Sequence, residues 1–101
     1  LSGQVGVDAK GEAAADLPAQ IELAYSNIQR VLAQFDATLD NVVDETLFIT
    51  DMQELLTQAE AIYAKRQQAY GKPPEVCQTV VQVSALLLPE LKVEIKCVAH
   101  L

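Results

Sequence analysis

Apolar and polar residues alternate twice near the end of the chain, from Val76 to Ala85 and from Leu91 to His100, with the period of two that strands impose. In the second stretch Leu91, Val93, Ile95, Cys97 and Ala99 form an apolar row and Lys92, Glu94, Lys96 and His100 a polar one. In the first, Cys77, Val81, Val83 and Ala85 form the apolar row, and Val76, Gln78, Val80, Gln82 and Ser84 a mixed one. The pattern predicts that Gln78 and Glu94 share one sheet face and that both cysteines lie on the other.

Upstream the period changes. Leu1 to Val7 alternates as a short strand, followed by a turn-rich and alanine-rich connection from Asp8 to Ala15. Asp16 is a suitable N-cap and Pro18 falls in the first turn of a helix over 17–35, with Leu17, Ile21, Ala24, Ile28, Val31, Leu32 and Phe35 at helical spacing. Val42 to Thr50 is rich in β-branched and aromatic residues and reads as a strand. Asp51, with Glu54 three positions on as in a capping box, opens a second helix over 52–70, whose core side holds Leu55, Ala59, Ile62, Tyr63 and Tyr70. Gly71 and the Pro73-Pro74 pair end it. The order β-α-β-α-β-β, with right-handed crossovers, predicts an α+β fold of two layers, a mixed sheet with both helices on one face. The other sheet face, carrying Gln78, Val80, Gln82, Lys92, Glu94 and Lys96, is too polar for a core and too rich in valine for a fully wet surface, which predicts a partner subunit over part of it.

Charge narrows the function classes. With 14 acidic and 7 basic side chains in 101 residues the net charge is −7, and no basic cluster interrupts it. Such a field repels phosphate backbones, so no nucleic acid is expected as partner. The length suits one domain, 1–101. No apolar run approaches the roughly 20 residues of a membrane span, so no membrane is expected either. Two cysteines on apolar rows predict buried, inert thiols in a reducing compartment, hence a cytoplasmic protein. A disulfide or a metal pair is the minor alternative, since two Cys and one His at these spacings make no zinc motif.

The remaining polar residues suggest modest chemistry. Glu94 is a candidate general base able to order water, against a plain strand glutamate beside Lys92 and Lys96. Lys96, two residues beyond Glu94, is a candidate cation on the same face. Asp44 and Glu45 are adjacent, so they face opposite ways and form no carboxylate dyad. Lys65 and Arg66 read as a wet helix face, and His100 as a frayed strand end.

This order of elements, together with Ser2-Gly3-Gln4, the Asp8 and Gly11 turn, Gln20, Asn27 and Leu32, the segment Val43 to Asp51 and the segment Lys92 to Ala99, resembles the RidA/YjgF family, also labelled the endoribonuclease L-PSP family. The resemblance covers nearly the whole chain. It implies a chorismate-mutase-like fold assembled as a homotrimer, with small-metabolite clefts between subunits lined by the backbone of Ser2 and Gly3. The best-studied members hydrolyse 2-aminoacrylate-type enamines and imines to keto acids and ammonia without metal or cofactor. Their water-activating glutamate matches Glu94. Their substrate-binding arginine falls on Gln78, or on Thr79 under the alternative alignment that the extra residue near Leu86 to Pro89 allows, and neither restores a guanidinium. A neutral amide in place of a bidentate charged fork weakens a carboxylate grip by on the order of 1–2 kcal/mol. The family also has a further N-terminal strand and a tyrosine that closes the cleft, and neither is present before Leu1. The expectation is a metabolite-binding trimer without efficient 2-aminoacrylate deaminase activity. The alternative is an imine hydrolase on a non-standard substrate, with Glu94 positioning water.

Overall fold

The computed structural model describes residues 1–101. Its elements are β1 (Gln4–Val5), α1 (Leu17–Ala33), a 3-10 turn (Leu39–Asn41), β2 (Val42–Ile49), α2 (Met52–Thr57), α3 (Ala59–Tyr70), β3 (Cys77–Gln82) and β4 (Val93–Ala99). The sheet order is β1-β4-β2-β3. β3 runs parallel to β2, the crossover being α2 and α3, while β4 lies antiparallel to both β2 and β1. The sheet is therefore mixed, with the helices on one face, as the α+β reading expects.

Helix α1 forms where predicted. The Asp16 carboxylate accepts the Ala19 N–H at 2.9 Å, and Pro18 occupies the first turn, where its missing N–H costs nothing. Leu17, Ile21, Ala24, Ile28 and Leu32 make one buried stripe against Leu47, Ile49, Val93 and Ile95 of the sheet. Each leucine, isoleucine or valine among them contributes on the order of 2 kcal/mol by leaving water. The helix stops at Ala33, and Phe35 turns to the surface rather than into the core.

The predicted second helix is two. It breaks at Gln58, one residue after Thr57 donates its hydroxyl to the Gln53 carbonyl at 2.9 Å. Such back-bonding competes with the helical ladder and bends it. Asp51 caps α2 by accepting the Glu54 N–H, but Glu54 does not reach back as a capping box requires, because its carboxylate pairs with Lys92. Gly71 ends α3 in the left-handed conformation, φ 76°, which a side chain would disfavour.

Two buried polar side chains of α1 fix the edges of the sheet. Gln20 donates to the Ala14 and Glu90 carbonyls and accepts the Lys92 N–H at 2.8 Å; Asn27 donates to the Val5 and Val7 carbonyls at 2.8 and 3.0 Å. Strand β1, only two residues long, owes its place to Asn27, and the entry to β4 owes its place to Gln20. Both contacts bear on where Gly3 and Glu94 come together.

Candidate functional site

The sheet turns one face to the helices and leaves the other open. On β4 the division follows the sequence pattern. Val93, Ile95 and Cys97 are buried under the helices, and Glu94, Lys96 and Val98 lie on the open face. On β3 the structure corrects the prediction. Gln78 and Val80 face the helix layer, while Cys77, Thr79 and Val81 face outward. Gln78 and Glu94 therefore lie on opposite faces. Polar partners join the core contacts of Val76 and Val80 in holding β3 this way round: Gln78 donates to Glu45 at 2.7 Å and accepts from Tyr63 at 2.9 Å, and Gln82 accepts the Met52 N–H at 2.8 Å.

The thiols divide accordingly. Cys97 is buried and Cys77 exposed. Burial, reinforced by the Glu45 charge, pushes the Cys97 thiol up to about 12.

Strand register orders the open face into rows. Lys96 lies beside Thr46 and Thr46 beside Thr79; one row along, Glu94 lies beside Phe48 and Phe48 beside Val81. Val5 of β1 pairs with Glu94 from the other side. The Glu94 side chain lies against the Gly3 backbone so closely that a Cβ at residue 3 would clash with its carboxylate. Of the predicted site residues, Glu94, Gly3 and neighbouring Ser2 thus come together at one edge. Thr79 shares their face two strands away, and Gln78 is excluded. Lys92 is also absent from this face, its ammonium paired with Glu54 at 2.9 Å. None of the chain's ion pairs involves Glu94 or Lys96, so both charges stand unneutralised on the open face.

The most polar cluster lies on the other side of the sheet. Glu45 is 1% exposed. Its carboxylate receives Arg66 Nε at 2.5 Å, the Tyr70 hydroxyl at 2.8 Å, Gln78 Nε2 at 2.7 Å and the Tyr25 hydroxyl at 3.1 Å to each oxygen. Arg66 is thus no wet residue: its side chain is 12% exposed and its guanidinium lies 5.5 Å from the centre of the Tyr70 ring. Burial first, then the Glu45 charge, drives the Tyr25 and Tyr70 hydroxyls well above the usual tyrosine range. This cluster escaped the sequence reading, although a signal for it existed. Glu45 alternates with Leu47 and Ile49, which places a carboxylate in a buried row, and Tyr63, Arg66 and Tyr70 recur at helical spacing opposite it. No three His, Cys, Asp or Glu side chains converge as metal ligands would.

Comparison with known proteins agrees with this architecture. The model of the Endoribonuclease L-PSP family matches residues 1–101. The RutC family protein YjgH of Escherichia coli (strain K12) is 33% identical over 101 residues, all of this chain and 73% of YjgH. The Rid family protein YyfB of Yersinia pestis superposes with a TM-score of 0.86 at 31% identity, over 99% of this chain and 75% of its own. A structure of E. coli TdcF with bound serine gives 0.81 at 27% identity, over 97% of this chain and 76% of its own. The chain belongs to the Endoribonuclease L-PSP family, the RidA/YjgF group.

Proposed function

We propose that the chain assembles as a homotrimer through its open sheet face and binds a small carboxylate-bearing metabolite in the clefts between subunits, without efficient 2-aminoacrylate deaminase activity. The observation that carries this reading is the Glu94 carboxylate, laid across Gly3 and left without an ionic partner on a face that also exposes Val81 and Val98. A strand glutamate with no structural employment, beside a glycine that makes room for it, is placed to meet a ligand or a water.

The opposite charge on that face comes from Lys96. Glu94 and Lys96 are two residues apart on one side of a strand, hence about 6.6 Å apart along its backbone, so a carboxylate and an ammonium stand as neighbours able to meet the ammonium and carboxylate of one amino acid. Serine in TdcF is a ligand of that class. Thr46 and Thr79 extend the Lys96 row with hydroxyl donors. Thr79, not Gln78, takes the place of the family's arginine in this reading, because it shares a face with Glu94. An ammonium and a hydroxyl hold a carboxylate as a point charge and a single donor, less firmly than a bidentate guanidinium.

Ammonia release tests the proposal, with imines generated in the assay by an amino-acid oxidase. Wild type should release little, and Thr79→Arg should raise the rate by placing a guanidinium on the open face. Wild-type turnover equal to that of an arginine-bearing relative would favour the hydrolase reading instead, in which case Glu94→Gln should abolish it. Sedimentation equilibrium tests the assembly, and a monomer at micromolar concentration would end the intersubunit part of the proposal.

A further inference from the structure

Strand β3 is turned against its own sequence pattern. Of its two rows, Cys77, Thr79 and Val81 are the more apolar and Gln78, Val80 and Gln82 the more polar, yet the polar row faces the helices. Because side chains alternate with a period of two, a slip of one residue along β2 would exchange the rows. The connections on either side, residues 71–76 and 83–92, contain no helix or strand, and the Val83 N–H to Ile49 carbonyl bond at 2.8 Å is the backbone contact that closes the observed register. Val76 and Val80 give the inward row some core contact, but before assembly covers the outward row a further group must decide the register within the single chain.

Glu45 is that group. It lies directly opposite Gln78 in the β2–β3 pairing. Three side chains from the helices, Tyr25, Arg66 and Tyr70, already donate to its buried carboxylate, and Gln78 completes the set. Tyr63 donates to the other end of the same amide, so Gln78 is fastened at both ends between sheet and helix. In a slipped strand Cys77 or Thr79 would face Glu45: the thiol is a weak donor, and the threonine hydroxyl donates and accepts at one atom on a short side chain, where Gln78 uses two separate atoms at the end of a longer one. The second polar contact, from Gln82 to the Met52 N–H, is solvent-exposed and readily exchanged for water.

We propose that Glu45 is a positioning residue: its buried carboxylate chooses which face of β3 turns outward, against the strand's hydrophobic preference, and so sets Cys77 and Thr79 on the open face. The cluster supplies register rather than bulk stability, the role in which buried polar groups are best attested. The choice of face stands whether or not the open face binds a ligand; only its consequence for Thr79 rests on the function proposed above.

The test replaces the cluster by an apolar set of similar size, Tyr25→Phe, Glu45→Leu, Arg66→Leu and Tyr70→Phe together, and follows the valine methyls and glutamine side-chain amides by NMR. In wild type the Val80 methyls should show contacts to the core, and the Gln78 side-chain amide should exchange at least 100-fold more slowly than that of exposed Gln67. In the variant β3 should lose its unique face, with the Val80 and Val81 methyls exchanging environments or doubling and Gln78 exchange becoming fast. A folded variant with one sharp set of signals and Val80 still inward would overturn the proposal. A merely structural role would shift stability and leave that methyl pattern unmoved. Should the variant not fold, a double-mutant cycle of Glu45→Gln and Gln78→Leu decides: tenfold coupling or more in the unfolding equilibrium supports the anchor, and less than twofold refutes it.

Discussion

Arg66→Leu isolates the charge that Glu45 depends on. The variant leaves Tyr25, Tyr70 and Gln78 as neutral donors to a carboxylate that is 1% exposed, but removes its only cation. Stripping one partner from a buried ion pair costs about 3–5 kcal/mol. A small gain opposes it, because Arg66 Nη2 is itself buried without a partner, an orphan donor worth about 1 kcal/mol that the leucine removes. The net expectation is a loss of about 2–4 kcal/mol, seen as a fall of roughly 1–3 M in the urea midpoint with an unchanged slope. Protein concentration must be held fixed, since assembly adds to apparent stability. Lys65→Leu is the control one residue away. Its pair with Glu22 is solvent-exposed, so it should cost less than about 1 kcal/mol. Equal losses in the two variants, or a loss below 1 kcal/mol for Arg66→Leu, would refute the reasoning that the Glu45 charge is anchored by Arg66.

Alkali should unfold the protein through the same cluster. Tyr25 and Tyr70 hold their protons in the fold above the usual value of 10.0, so the stability they contribute is complete below pH 10 and falls as the pH rises past it. The slope is about 1.4 kcal/mol per pH unit for each, readable as tyrosinate absorbance that appears with unfolding; ionisation of both in the folded chain would contradict it. Cys97, buried and raised to about 12, should resist alkylation at pH 8 until denaturant is added, and labelling at the rate of a free thiol would show that the core is open there. Gly3→Ala should force the Glu94 side chain to move from Cγ outward, at a stability cost of about 1 kcal/mol, and weaken ligand binding by displacing its carboxylate. Unaltered binding in a folded Gly3→Ala protein would remove the Gly3–Glu94 contact from the site. Gln78→Arg should give no gain in imine hydrolysis, since residue 78 faces the helices; a gain matching Thr79→Arg would place residue 78 in the cleft.

The elements were legible wherever local chemistry decides. Asp16, Asp51 and Gly71 mark helix ends by their own capping, and the alternation of β4 matches its burial because its apolar row is the one that packs under the helices. Gln20 and Asn27, read as marks of family resemblance, turn out to be staples for β4 and β1. The face of β3 was not legible, because a partner 33 residues upstream outweighs the strand's own pattern. Arg66 looked wet for the same kind of reason: on the helix it follows Lys65, and only the opposite strand reveals a buried acceptor. The sequence thus shows which face Glu94 takes on β4 but leaves Gln78 and Thr79 as alternatives on β3, and the structure puts Thr79 on the Glu94 face and Gln78 on the helix side.

Binding to the open face is most directly checked by an NMR titration with L-serine as probe, observing backbone amides and the Gln78 side-chain amide together. The account predicts saturable shifts at Gly3, Thr46, Thr79, Glu94 and Lys96 that Lys96→Ala abolishes, while the Gln78 side-chain signal stays in place. Shifts centred on the Gln78 amide and Tyr63, or none at millimolar serine and other small carboxylates, would contradict it.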